Sequence, residues 1–177
     1  LYANLFNDAN YTNKNNFLDE WNEEIFKFGF NQQVKMDLQT VSDGFIPSYQ
    51  YFKNNQMHNS LGEYLNLTIG QGSIRVTPFQ IIQFINLIAN NGVTYSPYFN
   101  KKNKNKNKIY SDYKSMVWEI IQKAMFDAVN SIDGTAKKIK IPSSQGIVYG
   151  KTGTAQVCSK CDIEPHGWFA GYITLPS

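Results

Sequence analysis

The sequence is poor in metal-binding residues: its 177 residues include two cysteines and two histidines. Cys158-Ser159-Lys160-Cys161 has the spacing of a redox or zinc motif and His166 follows it, but a structural zinc site wants four ligands and His58 is the only other histidine. No metal or cofactor is therefore expected, and the two thiols are left as a local disulfide or free. No stretch approaches the roughly 18 consecutive apolar residues of a membrane span, and no basic-then-apolar segment opens the chain. Charged residues make up 18%, with a formal net charge of +3. Much of that excess sits in one run, Lys101-Lys102-Asn103-Lys104-Asn105-Lys106-Asn107-Lys108. The run has neither arginine nor interleaved aromatics, and no other basic surface is evident. It predicts a solvated loop, and nucleic acid is not an expected partner.

Apolar residues, in contrast, make up 42%, including 11 Tyr, 12 Phe and 3 Trp. This composition supports an aromatic-rich interior, and the length suits one domain with one core. The sequence starts at Leu1 without Met and stops at Pro176-Ser177 just after a strand-like run, so both ends are expected to be cut.

Apolar residues at Phe17, Leu18, Trp21, Ile25 and Phe28 predict a helix stopped by Gly29. Irregular spacing from Phe30 to Asn66, with turn signals at Ser42-Asp43-Gly44 and Pro47-Ser48, predicts a long surface excursion. Thr77-Pro78-Phe79-Gln80 has the form of a capping box with proline at the first helical position. The helix it opens is apolar around most of its circumference and ends at Asn90-Asn91-Gly92. A second helix is predicted from Asp112 to Asn130 with Ser111 as its cap, and Ser131-Ile132-Asp133 before Gly134 as its stop. Two strands, Gln145 to Val157 and His166 to Thr174, are predicted to pair antiparallel across the loop holding both cysteines.

The chemically loaded segment is Gly150-Lys151-Thr152-Gly153-Thr154-Ala155-Gln156. A cation, two hydroxyls and a glycine on an exposed strand can hold a carboxylate while the backbone stays open to a reacting carbonyl. A side chain at position 153 would obstruct a substrate lying along the strand. Lys-Thr-Gly alone is also compatible with an ordinary surface strand.

Five further segments occur with it in a fixed order. They are Phe28-Gly29-Phe30 with Gly44-Phe45-Ile46-Pro47-Ser48; Ile69-Gly70-Gln71-Gly72 leading to Thr77-Pro78-Phe79-Gln80; Ala89-Asn90-Asn91-Gly92; Asp133-Gly134-Thr135-Ala136; and His166-Gly167-Trp168-Phe169-Ala170-Gly171-Tyr172. In this series the chain resembles the transpeptidase domain of class B penicillin-binding proteins, on the side of penicillin-binding protein 2 of cell elongation. The resemblance implies the C-terminal portion of that domain over residues 1–177. It also implies an α/β fold of the α+β type, the serine-transpeptidase or β-lactamase-like fold, with an antiparallel sheet covered by helices and incomplete in this chain.

By the same resemblance, the protein is a peptidoglycan D,D-transpeptidase that works through an acyl-serine and is inhibited by β-lactams. Lys151, Thr152, Gly153 and Thr154 bind substrate, with Lys151 and Thr154 taking part in catalysis. Such enzymes use Ser-x-x-Lys, then Ser-x-Asn or Ser-x-Asp, then Lys-Thr-Gly. Only the last stands in a credible place, so the nucleophile is expected outside these residues. Ser111-Asp112-Tyr113-Lys114 fits the first pattern literally but follows the point where the second motif belongs. His166 lies on a strand that supports the Lys-Thr-Gly strand, with Trp168 and Tyr172 on one of its faces. Asn31 stands where the family has glycine, which asparagine's tolerance of the left-handed region permits.

Implied partners are peptidoglycan stem peptides, β-lactams, the rod-shape scaffold protein MreC and a lipid-II glycosyltransferase. The implied place is the periplasmic face of the bacterial inner membrane, with an anchor outside these residues, and a periplasmic location permits the disulfide. The rival readings are a β-lactamase or carboxypeptidase of the same superfamily, and a non-catalytic β-lactam sensor.

Overall fold

The computed structural model describes residues 14–39, 41–56, 61–103, 108–156 and 163–176. They form a mixed helix-and-sheet structure with short antiparallel sheets. Two compact units replace the single core expected from length: residues 1–34 with 39–77, and residues 35–38 with 78–177. No helix among the described residues is long and apolar enough to cross a membrane.

Among the described residues the first unit holds three helices: α1 (Lys14–Lys27), α2 (Tyr49–Asn54) and α3 (Leu61–Thr68). α1 ends where its glycine signal placed the stop, with Gly29 at φ 92° and its N–H donating to the Phe26 carbonyl. The surface excursion expected between Phe30 and Asn66 is overturned. Within it, Phe52 and Tyr64 are fully buried with Leu18 and Leu67, and their rings meet edge to face at 5.5 Å. Burial of each such side chain contributes ~1.5–3 kcal/mol, which holds two helices too short to show a clear period. Ser48, one of the turn signals, caps α2 by accepting from Tyr51 N–H at 3.2 Å. Asn31 adopts φ 55°, as its residue type permits, and its side-chain oxygen accepts from Ile46 N–H at 3.1 Å. That bond ties the Phe-Gly-Phe turn to the Gly-Phe-Ile-Pro-Ser segment.

The second unit contains α4 (Pro78–Ala89), β1 (Val93–Tyr95), β2 (Lys108–Tyr110), α5 (Ser115–Asn130), β3 (Ile147–Ala155) and β4 (His166–Thr174). α4 starts at the proline and stops at Asn91 and Gly92, with φ 52° and 87°. Gly92 is required twice over, because a Cβ there would lie 2.8 Å from Nε1 of the buried Trp118. The burial of α4 differs from its apolar pattern: Gln80 and Gln83 are buried, whereas Ile82 is exposed.

Two sequence expectations fail between α4 and α5. The Lys/Asn run is not loop throughout, since Lys108 opens β2, which pairs antiparallel with β1 in the register Val93↔Tyr110 to Tyr95↔Lys108. Lys101 and Lys102 are exposed, as expected of a solvated segment, while residues 104–107 lie outside the described residues. Ser111 does not cap α5. Its N–H donates to the Gly92 carbonyl at 2.9 Å, extending the pairing beside β1 and β2, and α5 starts at Ser115 with Lys114 at its cap position. Ser111 and Lys114 thus stand in non-helical backbone, without the one-turn spacing that Ser-x-x-Lys chemistry requires.

Candidate functional site

β3 carries Lys151, Thr152, Gly153 and Thr154, and pairs with β4 from Ile147↔Thr174 to Ala155↔His166. It is shorter than the expected run from Gln145. Gly146 at φ 139° and a turn in which Gln145 N–H donates to the Pro142 carbonyl delay its start. At the other end, residue 156 is already outside the strand, and the cysteine pair lies outside the described residues. The sheet is two-stranded among the described residues, so β3 presents one unpaired edge.

Strand alternation sorts the four motif residues. Thr152 and Thr154 share one face with Phe169, whereas Lys151 and Gly153 share the other with Trp168 and Tyr172. The cation and the two hydroxyls therefore stand on opposite faces of β3. Lys151, Gly153 and Thr154 are exposed and Thr152 is half-buried. The Lys151 ammonium donates to the Thr152 carbonyl.

One glycine pair lets the two strands and a ring pack closely. Gly150 faces Gly171 across the ladder, and the Phe169 ring lies over Gly150, where a Cβ would meet its Cζ at 2.1 Å. At Gly153, in contrast, a Cβ would find only the Trp168 Cβ at 3.6 Å, an ordinary contact. The fold itself therefore leaves room for a side chain at position 153. Tyr149 and Tyr172 stack at 4.7 Å, 5° from parallel, which assigns Tyr172 to packing as expected; Trp168 remains 43% exposed. Burial, reinforced by Tyr149, pushes the Tyr172 phenol up to about 12.

A seam from α5 positions β3. Asn130 Nδ2 donates to the Val148 carbonyl and to the Phe126 carbonyl, both at 2.9 Å. Ala136 N–H donates to the Ala128 carbonyl at 2.8 Å, and Ala136 is buried with Val129 and Val148. The chain can turn this closely because residue 134 is glycine: a Cβ there would lie 2.5 Å from the Ala128 carbonyl oxygen. The turn delivers Thr135, whose hydroxyl accepts from the Thr152 hydroxyl at 3.2 Å. Sequence reasoning used Asp133-Gly134-Thr135-Ala136 as a recognition segment and missed this contact and the Asn130 tie. The signal available was the glycine placed directly after the stop of a long helix.

His166 is exposed at the start of β4, opposite Ala155. No group of three or more His, Cys, Asp or Glu side chains suited to a metal occurs among the described residues.

Comparison with known proteins agrees with the resemblance carried by the motifs. A curated relative, peptidoglycan D,D-transpeptidase MrdA of Acinetobacter baumannii, is 31% identical over 153 residues, which are 80% of this chain and 22% of the relative. The MrdA of Haemophilus influenzae is 25% identical over 88% of this chain and 27% of its own length. This chain thus spans about a quarter of these relatives. Among solved structures, penicillin-binding protein 2 of Pseudomonas aeruginosa in complex with WCK 5153 superimposes with a TM-score of 0.73 at 29% identity, covering 88% of this chain and 36% of that one. Penicillin-binding protein 2 of Helicobacter pylori, solved in complex with MreC, gives 0.69 at 26% identity, covering 79% and 26%. Residues 10–175 match the family described as penicillin binding protein transpeptidase domain. The chain belongs to that family, with penicillin-binding protein 2 and its relatives as its kin.

Proposed function

We propose that the protein containing this chain is a peptidoglycan D,D-transpeptidase and that Lys151 to Thr154 form its substrate clamp. The observation that carries this reading is the Lys-Thr-Gly-Thr run, exposed except for the half-buried Thr152, on a strand with one edge unpaired among the described residues, in a chain of this family. An extended peptide can add along such an edge by main-chain hydrogen bonds. When substrate binds, the Thr152 hydroxyl turns its proton from Thr135 to the terminal carboxylate of a stem peptide, or to that of a β-lactam, beside the Thr154 hydroxyl, and Lys151 supplies positive charge. The Thr154 N–H is one of two donors to the oxyanion.

The reaction proceeds in two acyl transfers. A serine outside these 177 residues attacks the carbonyl between the two D-alanines. The peptide C–N bond breaks, the terminal D-alanine leaves as an amine with a proton, and the remaining peptide is held as an ester. An amine of a neighbouring stem peptide then attacks the ester, forming the crosslink and returning the proton to serine. A β-lactam enters at the first step and stays as the ester. The protein works at the periplasmic face of the inner membrane through an anchor elsewhere in its chain. It acts with MreC, a reading supported by the Helicobacter complex, and with a lipid-II glycosyltransferase.

The test is acylation of the complete protein by labelled penicillin. Removing a hydrogen bond to a charged group costs ~1.5–3 kcal/mol, and ~1.4 kcal/mol is tenfold in rate. Lys151→Ala and Thr154→Val should each slow acylation at least about tenfold without unfolding the protein. Residues 1–177 alone should form no covalent adduct by intact mass. Full-speed acylation of Lys151→Ala, or an adduct on Ser111, refutes the assignment.

A further inference from the structure

β3 has a neighbour to which the transpeptidase reading gives no role of its own. Thr135 follows Gly134 in the turn after α5, and its hydroxyl accepts from the Thr152 hydroxyl at 3.2 Å. Both partners stand on fixed backbone. On one side, Gly134 N–H donates to the Ser131 carbonyl at 3.1 Å and Ala136 N–H to the Ala128 carbonyl at 2.8 Å, while Ala136 is buried with Val129 and Val148. A Cβ at position 134 would lie 2.5 Å from the Ala128 carbonyl oxygen, so this path depends on glycine. On the other side, Asn130 ties the Val148 carbonyl of β3 to the end of the same helix. Thr135 itself is exposed, so its hydroxyl is not walled in.

Two hydroxyls in contact can exchange roles, because each carries one proton and can also accept. Here Thr152 donates and Thr135 accepts. Among the described residues the Thr135 hydroxyl makes no other hydrogen bond, which leaves its own proton uncommitted. At 3.2 Å the bond is longer than the usual hydroxyl pair, so the Thr152 proton is lightly held. An ionised carboxylate offers acceptors alone, and it therefore draws that proton to itself.

We propose that Thr135 is a positioning residue of the clamp and that Thr135 and Thr152 form a two-hydroxyl relay selective for anionic ligands; the inference rests on the reading of Lys151 to Thr154 as the clamp. When a carboxylate docks, Thr152 turns its proton to it and Thr135 turns its own proton to the Thr152 oxygen. No proton leaves its oxygen: two O–H bonds rotate, one hydrogen bond reverses and one forms. Donor then stands behind donor, and the bonds of such a chain strengthen one another most when the last acceptor is charged. The reversed bond also holds the Thr152 side chain in a single rotamer. Thr135 acts through Thr152 and touches no reacting atom. A merely structural Thr135 could be replaced by any side chain of its shape, whereas the relay requires a hydroxyl.

The test measures the second-order rate of acylation of the complete protein by penicillin and by penicillin methyl ester, with thermal unfolding of each variant. Thr135→Val keeps the shape and removes the hydroxyl; it should slow acylation by penicillin about three- to tenfold, the range for one ordinary hydrogen bond, at an unchanged Tm. Thr135→Ser should react within about twofold of wild type. With the methyl ester, which presents no anion, Thr135→Val should also stay within about twofold of wild type. In a Thr152→Val background, Thr135→Val should cost nothing further, as expected of two changes that break one interaction. Thr135→Ala, a truncation at an exposed position, repeats the measurement if valine disturbs the turn. Full-speed acylation of Thr135→Val and Thr135→Ala, a Thr135→Ser protein as slow as Thr135→Val, equal slowing of acid and ester, or additive costs in the double variant would each overturn the relay. The clamp is read separately: a wild-type protein that penicillin does not acylate, or a full-speed Lys151→Ala, refutes the transpeptidase reading, whereas failure of the relay leaves both of those results as expected.

Discussion

Replacing Gly153 with alanine separates the demands of folding from those of substrate. The added Cβ sits 3.6 Å from the Trp168 Cβ, and Gly153 is not among the glycines with positive φ. Folding therefore has no objection, and a Gly→Ala change at a compatible position stabilises a protein by about 0.4–1 kcal/mol through the unfolded chain. A substrate lying along β3 does object, because the methyl group takes space the glycine leaves open. Extra methylenes forced into a packed contact cost about 1–3 kcal/mol, which is about 5- to 150-fold in rate. The assay pairs the second-order rate of penicillin acylation with thermal unfolding of the complete protein. The expected result is an unchanged or slightly raised Tm with acylation slowed in that range. Acylation within about twofold of wild type, on a folded protein, would show that nothing packs against position 153 and that the strand is not the clamp.

Gly171→Ala should behave in the opposite way: its Cβ would lie 2.2 Å from the Tyr149 carbonyl oxygen, and a cost of about 1–3 kcal/mol or more should appear as a lower Tm. Asn130→Ala leaves the Val148 carbonyl without its side-chain donor and should cost about 1–3 kcal/mol in denaturant unfolding. The Tyr172 phenol, raised to about 12 by burial and by Tyr149, should ionise later than a free tyrosine in an ultraviolet titration, and Tyr149→Ala should bring it earlier. Since its folded pKa lies above the unfolded value, the contribution of Tyr172 to stability is full below about pH 10 and is lost as pH rises toward 12. A Tyr172 signal that titrates with the exposed tyrosines would contradict the stacked geometry.

Elements bounded by strong local signals were legible in the sequence. Gly29 and Asn91-Gly92 stop their helices because glycine and asparagine reach positive φ, and Pro78 starts α4 because it lacks an N–H to satisfy. β3 and β4 were legible from their β-type runs, and the motif residues stand on the exposed strand expected of them. Features that depend on distant partners were not. α2 and α3 exist because Phe52 and Tyr64 find Leu18 across an intervening stretch of chain. Ser111 has the local setting of a cap, but the Gly92 carbonyl draws its N–H into the ladder instead. The Thr152–Thr135 contact also crosses from one element to another, and no local pattern encodes it.

The seam between α5 and β3 has a dynamic consequence. Asn130, Ala136 and Thr135 fasten the strand to the last turn of a 16-residue helix. To move Val148 through Thr152 away from their positions, the protein must break the Asn130–Val148 and Thr152–Thr135 bonds and part Val148 from Val129 and Ala136. Amide protons of β3 and of that helical turn should thus exchange with solvent in one cooperative sub-global opening rather than by independent fraying. β3 then inherits the rigidity of the helix, and a ligand that closes on its free edge has little conformational entropy left to remove.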